Sequence, residues 1–390
     1  MIIAFIIYTF CYFLIWWTYC GYILLLFVGC LFRGKKNEEV VLNTQNLKVS
    51  VLVPFHNEEE FILHKIKNSI ELDYKKENLE FVFINGNSTD NSRKIIEDFT
   101  SKHTNHNIKI LNCPTVGKIN QLNFALETVD ADIIINTDVD AVLNKQAVIE
   151  ITNEFHKNEK IAVVGALNQP LHCMNMEKNY WAIQNVARLL ESEFYSSSIV
   201  IATCYAYRKD ILTEFPKDCV ADDIYVAFLA QQKKQVVKYI STAHVYEIRA
   251  PRKLKEFISH KFRKSNAFII EILRFLYALP QYRNRWKIMY LTKLLQLIFM
   301  PFILILFLGS LINIVLVDDL YAYIIGGSII FLFINIVIMS FIFRSKAKGI
   351  IKGRLKGSKL IFFIITNFIL FFSVLVYWIY GQDSSYKKIR

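Results

Sequence analysis

The chain is poor in the residues that build fibrous, disordered or disulfide-stapled proteins. Only 13 of its 390 residues are glycine and 7 proline, which excludes a collagen-like or low-complexity chain. Cysteine is scarce and unpatterned. Cys11, Cys20 and Cys30 share one apolar run, while Cys113, Cys173, Cys204 and Cys219 are scattered without Cys-x-x-Cys spacing. Neither a disulfide framework nor a zinc site is indicated, and the thiols read as small apolar fillers in a reducing compartment. Charge is thin too, at 21% of residues against 54% hydrophobic and 14% aromatic. That is more apolar surface than one water-soluble domain can bury, so an ordinary soluble enzyme is excluded. The charge present is lopsided, 46 Lys+Arg against 34 Asp+Glu, a net +12. Such a balance suits nucleic acid or a membrane surface and does not choose between them.

The placement of the apolar residues chooses. Ile2 to Phe32 carries no charge and exceeds the roughly 20 residues a helix needs to cross a bilayer. It lacks the basic start, short core and small-residue exit of a cleaved signal peptide, so it reads as an anchor. Three further spans are expected at Leu294–Val317, Tyr321–Phe343 and Leu360–Tyr380. Basic residues flank them at Arg33, Lys35 and Lys36, at Arg283, Arg285 and Lys287, and in the loop from Arg344 to Lys359, whereas Asp318 and Asp319 occupy the turn between the second and third spans. If the spans alternate, these clusters fall on one side, and the positive-inside rule puts the middle of the chain in the cytoplasm. Only the tail, with Lys387, Lys388 and Arg390, falls outside. Most of the positive charge is then membrane-flanking, and no nucleic acid partner is expected. The expected organisation is an anchor over 1–32, a catalytic domain over 40–250, amphipathic interfacial helices over 251–290 and three spans over 291–390.

Within the middle region, short β-branched runs recur at Val49–Val53, Phe81–Ile84, Ile108–Leu111, Ile133–Asn136, Ile161–Val164, Ile199–Ala202 and Val236–Tyr239. They read as strands buried on both faces. Helical stretches at Glu58–Ile70, Ser92–Thr100 and Lys118–Leu126 alternate with the early ones. This predicts an α/β fold with a mostly parallel, Rossmann-like sheet, whose ligands sit at the carboxyl ends of the strands.

Those ends carry the chemistry. Pro54-Phe55-His56-Asn57-Glu58 follows the first strand, and Asn85-Gly86-Asn87-Ser88-Thr89-Asp90 the second. The first reads as a strand stop and helix cap, and the second can accept a nucleotide or merely be a turn. The fourth strand ends at Asp138-Val139-Asp140. Two carboxylates one residue apart at a strand end can face one way and hold Mg²⁺ or Mn²⁺ against a diphosphate. Lys118, after Gly117, can meet a phosphate or remain a solvated helix residue. Asp222-Asp223 opens an apolar helix. The pair is either a helix start or, in a cleft, a carboxylate raised by crowding that can take a proton from a hydroxyl.

In their order these pieces resemble the membrane-embedded branch of the family 2 glycosyltransferases, which includes hyaluronan, chitin-oligosaccharide, poly-N-acetylglucosamine and cellulose synthases. The resemblance runs from Val49-Ser50-Val51-Leu52-Val53-Pro54 through Ser88-Thr89-Asp90, Gly117-Lys118, Asp138-Val139-Asp140, Ala202 to Arg208 and Asp222-Asp223, to Arg263. It implies a GT-A fold and an inverting transfer from a nucleotide-diphosphate sugar, a UDP-sugar, to a membrane-associated glycan or polyprenol-linked acceptor, as in polysaccharide biosynthesis. By the same resemblance Asp223 is the base and Asp222 its support. Asp138 and Asp140 bind the cation, and Pro54, His56, Asn57, Glu58, Asn85, Lys118 and Asp138 bind the donor. Cys204, Tyr205, Arg208 and Arg263 lie on the acceptor side. Two departures stand out. Asn85-Gly86-Asn87 replaces the family's Asp-Asp-Gly, and His260-Lys261-Phe262-Arg263-Lys264 keeps only the Arg of Gln-x-x-Arg-Trp. A later look-alike, Gln281 to Trp286, reads as a membrane-interface belt. Two alternatives stay open: direct transfer of a hexose to a polyprenyl (dolichyl) phosphate, and a non-catalytic scaffold that binds sugar nucleotides. Finally, Lys253 to Leu279 places Phe257, Ile258, Phe262, Ile269, Leu273 and Leu276 near one helical face, as an interfacial helix or an ordinary packed one.

Overall fold

A computed structural model describes residues 2–32, 46–315, 319–346 and 359–381. One sheet of eight strands organises the middle region: β1 (Val49–Phe55), β2 (Leu79–Asn85), β3 (Ile108–Asn112), β4 (Ile133–Thr137), β5 (Ala141–Leu143), β6 (Ile161–Pro170), β7 (Cys204–Arg208) and β8 (Val236–Glu247), in the order β3-β2-β1-β4-β7-β6-β8-β5. The first four are mutually parallel, and β7 enters antiparallel between β4 and β6. All seven residues of β2 and all five of β4 are buried, as expected of strands covered by helices on both faces. Alternate residues feed separate layers: Val51, Val53 and Ile135 on one face, Leu52, Val82 and Ile134 on the other.

The helices Ser92–Thr100 and Lys118–Leu126 lie where the sequence predicts them. The run Ile199–Ala202 does not form a strand; the ladder begins at Cys204. Ile199, Val200 and Ile201 are buried as irregular chain instead, Val200 within the second layer.

Among the described residues, four helices are long and apolar enough to cross a membrane: Ile2–Phe32, Asn284–Ile314, Tyr323–Phe343 and Phe363–Tyr380. The second begins ten residues before the expected Leu294. Trp286 is 1% exposed and packs edge-on against Phe228 and Tyr282, so it belongs to the core between the domain and the spans and not to a lipid-facing belt. The helix Leu254–Arg274 packs along the last span. It buries Phe257 and Ile269 but also Lys261, His260 and Glu271, while Ile258 is exposed. It is a packed helix whose polar face is enclosed. The basic residues 33–36, 348–356 and 387–390, and the boundary near 40, lie outside the described residues.

Candidate active site

The carboxyl ends of β1 and β4 and the residues after β8 open on one cavity of about 3310 Å³. One wall is two loops laced together. The Asn57 N–H donates to Ser88 Oγ at 3.0 Å, Asn57 Oδ1 accepts from the Thr89 N–H at 2.8 Å, and the Glu58 N–H donates to Ser92 Oγ at 2.7 Å. Asn57 adopts φ 53°, which its short polar side chain tolerates better than most. His56 hydrogen-bonds through Nδ1 to the Gly86 carbonyl at 2.8 Å. Gly117, at φ 125°, makes the turn that starts the helix carrying Lys118.

Asp138 and Asp140 stand at the end of β4 over a buried lysine. Lys65 Nζ donates to Thr137 Oγ1 at 2.8 Å and to the Ala141 carbonyl at 2.6 Å, gripping both ends of the acidic turn. Burial pulls its pKa down to about 8. Asp138 Oδ1 pairs with Lys118 Nζ at 3.0 Å, and Asp140 Oδ2 with Arg249 Nε at 3.0 Å. Arg249 also reaches Glu58 at 2.9 Å. Burial and the neighbouring Asp138 raise the Asp140 carboxyl despite Arg249. Asp138 Oδ2 and Asp140 Oδ1 carry no hydrogen bond among the described residues. The donor set fits a hard cation such as Mg²⁺ or Mn²⁺. No cluster of three His, Cys, Asp or Glu suited to a metal exists among the described residues, so the remaining ligands would have to come from a diphosphate and water.

Asp222 and Asp223 form the first turn of the helix Asp222–Gln232, where the helix dipole favours acids. Asp222 is buried, accepts from the Tyr205 hydroxyl at 2.6 Å and pairs with Lys118 at 3.1 Å. Tyr205 in turn accepts from the Asn136 side-chain amide at 2.6 Å. Lys118 thus ties the two acidic motifs together; burial opposes its charge, but Asp138 and Asp222 outweigh this and raise its pKa. Asp223 lines the cavity, and burial together with Asp222 pushes it up to about 6.

Pro54, His56, Asn57, Glu58, Lys118, Asp138, Asp140, Asp222, Asp223 and Arg263 all line this cavity. Four expected residues do not. Asn85 is turned inward, its Oδ1 accepting from the Ser88 N–H and its amide donating to Asn112. Cys204 and Tyr205 are fully buried in the sheet; Tyr205 acts on the site only through Asp222. Arg208 sits at the opposite end of β7, bonded to the Ile161 and Phe155 carbonyls. Conversely, Lys65, Asn136 and Arg249 were not expected. Arg249 offers one sequence signal, a cation just past the end of β8.

Residues 50–215 match the family model described as glycosyl transferase family 2. They are a family 2 glycosyltransferase domain. A Bacillus subtilis protein named "Probable glycosyltransferase YdaM" is 36% identical over 121 residues, 30% of this chain and 29% of that protein. The poly-beta-1,6-N-acetyl-D-glucosamine synthase of Staphylococcus epidermidis is 29% identical over 117 residues, 30% of this chain and 27% of that one. The match thus spans less than a third of either relative. A mannosyltransferase from Pyrobaculum calidifontis, solved with GDP-Man and Mn²⁺, superposes with a TM-score of 0.71 over 97% of this chain and 100% of that one at 17% identity. The fold is GT-A, with one apolar helix before the catalytic domain and three after it.

Proposed function

We propose that the chain is an inverting glycosyltransferase of the cell membrane. It moves a sugar from a nucleotide-diphosphate donor, a UDP-sugar, to a membrane-associated glycan or polyprenol-linked acceptor. The observation that carries this reading is that Asp223, Lys118, Asp138 and Asp140 share one cavity with residues of the apolar spans. Pro54, His56, Asn57 and Glu58 form the nucleotide side. Asp138 and Asp140 would hold Mg²⁺ or Mn²⁺, which when bound supplies charge neutralisation at the leaving diphosphate. Lys118 adds a fixed positive charge beside the same phosphates.

Asp223 takes the proton of the acceptor hydroxyl as its oxygen bonds to the anomeric carbon and the bond from that carbon to the diphosphate oxygen breaks. A carboxylate near pKa 6 is ionised at neutral pH yet more basic than an exposed one, which suits the task. Asp222, held by Tyr205 and Lys118, fixes the helix turn beneath it. The basic residues flanking the spans, Arg283, Arg285 and Lys287 among them, support a cytoplasmic catalytic domain.

The test is turnover of a panel of sugar nucleotides by the full-length protein with Mg²⁺ or Mn²⁺ and a membrane extract as acceptor. Consumption of one donor, lost in Asp223→Asn, is the expected result. Nucleotide-dependent thermal stabilisation without turnover of any donor would instead mark a non-catalytic scaffold.

A further inference from the structure

The cavity is more than three times the upper end of an ordinary small-molecule pocket, about 1,000 Å³, so it holds room beyond a donor. Beyond Asp223 it runs along the helix Asn175–Phe194 to Ile23 of the first span and Leu297, Ile336 and Leu370 of the others. On that route stands Arg188, 5% exposed, with no hydrogen bond or ion pair among the described residues. Its Nε and Nη1 are buried and unbonded. The guanidinium is held only by ring faces, 5.9 Å from the Trp181 centroid and 6.0 Å from that of Tyr239. Lys264 lies over the same Trp181 ring at 5.0 Å, has no ion pair among the described residues, and its charge is felt by Asp223.

Each acid around them has a partner of its own, although one Glu177 oxygen is unbonded and Glu247 feels the Lys264 charge. Glu177 pairs with Lys261 at 2.8 Å, Glu191 with Lys293 at 3.4 Å and with the Tyr22 hydroxyl, and Glu247 accepts from Asn168. A buried guanidinium without a counter-charge is costly, and its planar fork matches a phosphate. The flanking residues Val186, Ala187 and Leu190 pack with Tyr22, Ile23 and Leu26 of the first span, which sets Arg188 beside a helix apolar enough to cross a membrane.

We propose that Arg188 and Lys264 form the subsite for a phosphate of the acceptor, a lipid whose hydrocarbon chain lies against the membrane-spanning helices. This rests on the transferase reading above. The phosphate has two roles open to it. As acceptor, its ionised oxygen bonds to the anomeric carbon, the nucleoside diphosphate leaves, and no proton moves. As anchor of a lipid-linked sugar, it holds the chain while a sugar hydroxyl attacks and gives its proton to Asp223.

The experiment uses full-length protein in phosphatidylcholine nanodiscs and compares binding of radiolabelled polyprenyl phosphate with the matching polyprenol; donor binding is titrated separately with UDP. The phosphate form should bind at least about tenfold tighter, and Arg188→Met and Lys264→Gln should each erase that preference while Arg188→Lys retains part of it. UDP binding should be unchanged in all three. Equal binding of phosphate and alcohol by the wild type, or an undiminished preference in Lys264→Gln, overturns the subsite even if Arg188→Met fails to fold. Loss of UDP binding by the wild type with the phosphate preference intact would instead sink the transferase reading and leave the subsite standing. With donor present, Asp223→Asn sparing transfer to polyprenyl phosphate assigns the acceptor role; its abolishing transfer to a polyprenyl-diphosphate sugar assigns the anchor role.

Discussion

Tyr205 donates its hydroxyl to Asp222 at 2.6 Å, and that bond separates the roles of two adjacent acids. Asp222 is closed off by Tyr205 and Lys118, which leaves the cavity-lining Asp223 as the proposed base. Tyr205→Phe removes the donor, strands the Asn136 amide and leaves the Asp222 oxygen to Lys118 alone. Its turnover should fall by about 10- to 100-fold, as when an outer hydrogen-bond partner of a functional group is lost. The KM for donor should barely move, because Tyr205 touches no part of the donor wall. Folding should weaken by about 1–3 kcal/mol, measurable by denaturant titration. A KM effect with kcat intact would contradict this division.

The pH profile tests Asp223 itself. A base near pKa 6 must be ionised, so kcat/KM should drop below about pH 6 and level off above it. Lys264 lowers this pKa, and Lys264→Gln should therefore move the acid limb upward. The same shift bears on stability. A carboxyl whose folded pKa is raised above its unfolded value loses stability as pH rises through the interval between the two, and the penalty is complete above the folded pKa. Asp223→Asn should thus be inactive yet melt higher than wild type above pH 6, a gain that shrinks as pH approaches 4. A variant that melts lower at pH 7.5 would refute the buried-acid account.

Much of this was legible in the sequence because the strands beside the site are buried on both faces, so β1, β2 and β4 appear as largely apolar runs. The acids Asp138, Asp140, Asp222 and Asp223 were legible because they sit at strand ends or a helix start. The helix Asn175–Phe194 was not, since its buried face holds Glu177, Asn185, Arg188 and Glu191, whose polarity breaks the apolar period while their partners lie far off in sequence. Ile199–Ala202 misled for the opposite reason: it is apolar and buried, yet pairs with no strand. Asn85 and Arg208 were assigned by motif position, but a strand end has two faces and a strand two ends, and these side chains point to the wrong one.

Metal dependence should follow from the acidic turn. With only two protein carboxylates facing the cavity at β4, cation and diphosphate should bind together. Calorimetric titration with UDP should show strong binding with Mn²⁺ and little with excess chelator. Asp138→Asn and Asp140→Asn should each lose most of that binding, because each removes a carboxylate and leaves Lys118 or Arg249 with its other acid alone. Equal UDP affinity with and without chelator would remove the cation from the donor site.

Lys65 gives the least obvious prediction. It bridges Thr137 and Ala141 from beneath the acidic turn, so Lys65→Met should let Asp138 and Asp140 drift and weaken Mn²⁺-dependent UDP binding, although Lys65 contacts no ligand. Its stability signature has a definite sign. The folded pKa near 8 lies below the ordinary 10.5, so the unfolded chain binds more protons between those values and wild-type stability gains as pH rises from 8 toward 10.5. Lys65→Met lacks that term. Melting curves of the two proteins across this interval should therefore shift in favour of the wild type, whereas parallel curves would mean that the ammonium is not enclosed beneath the turn.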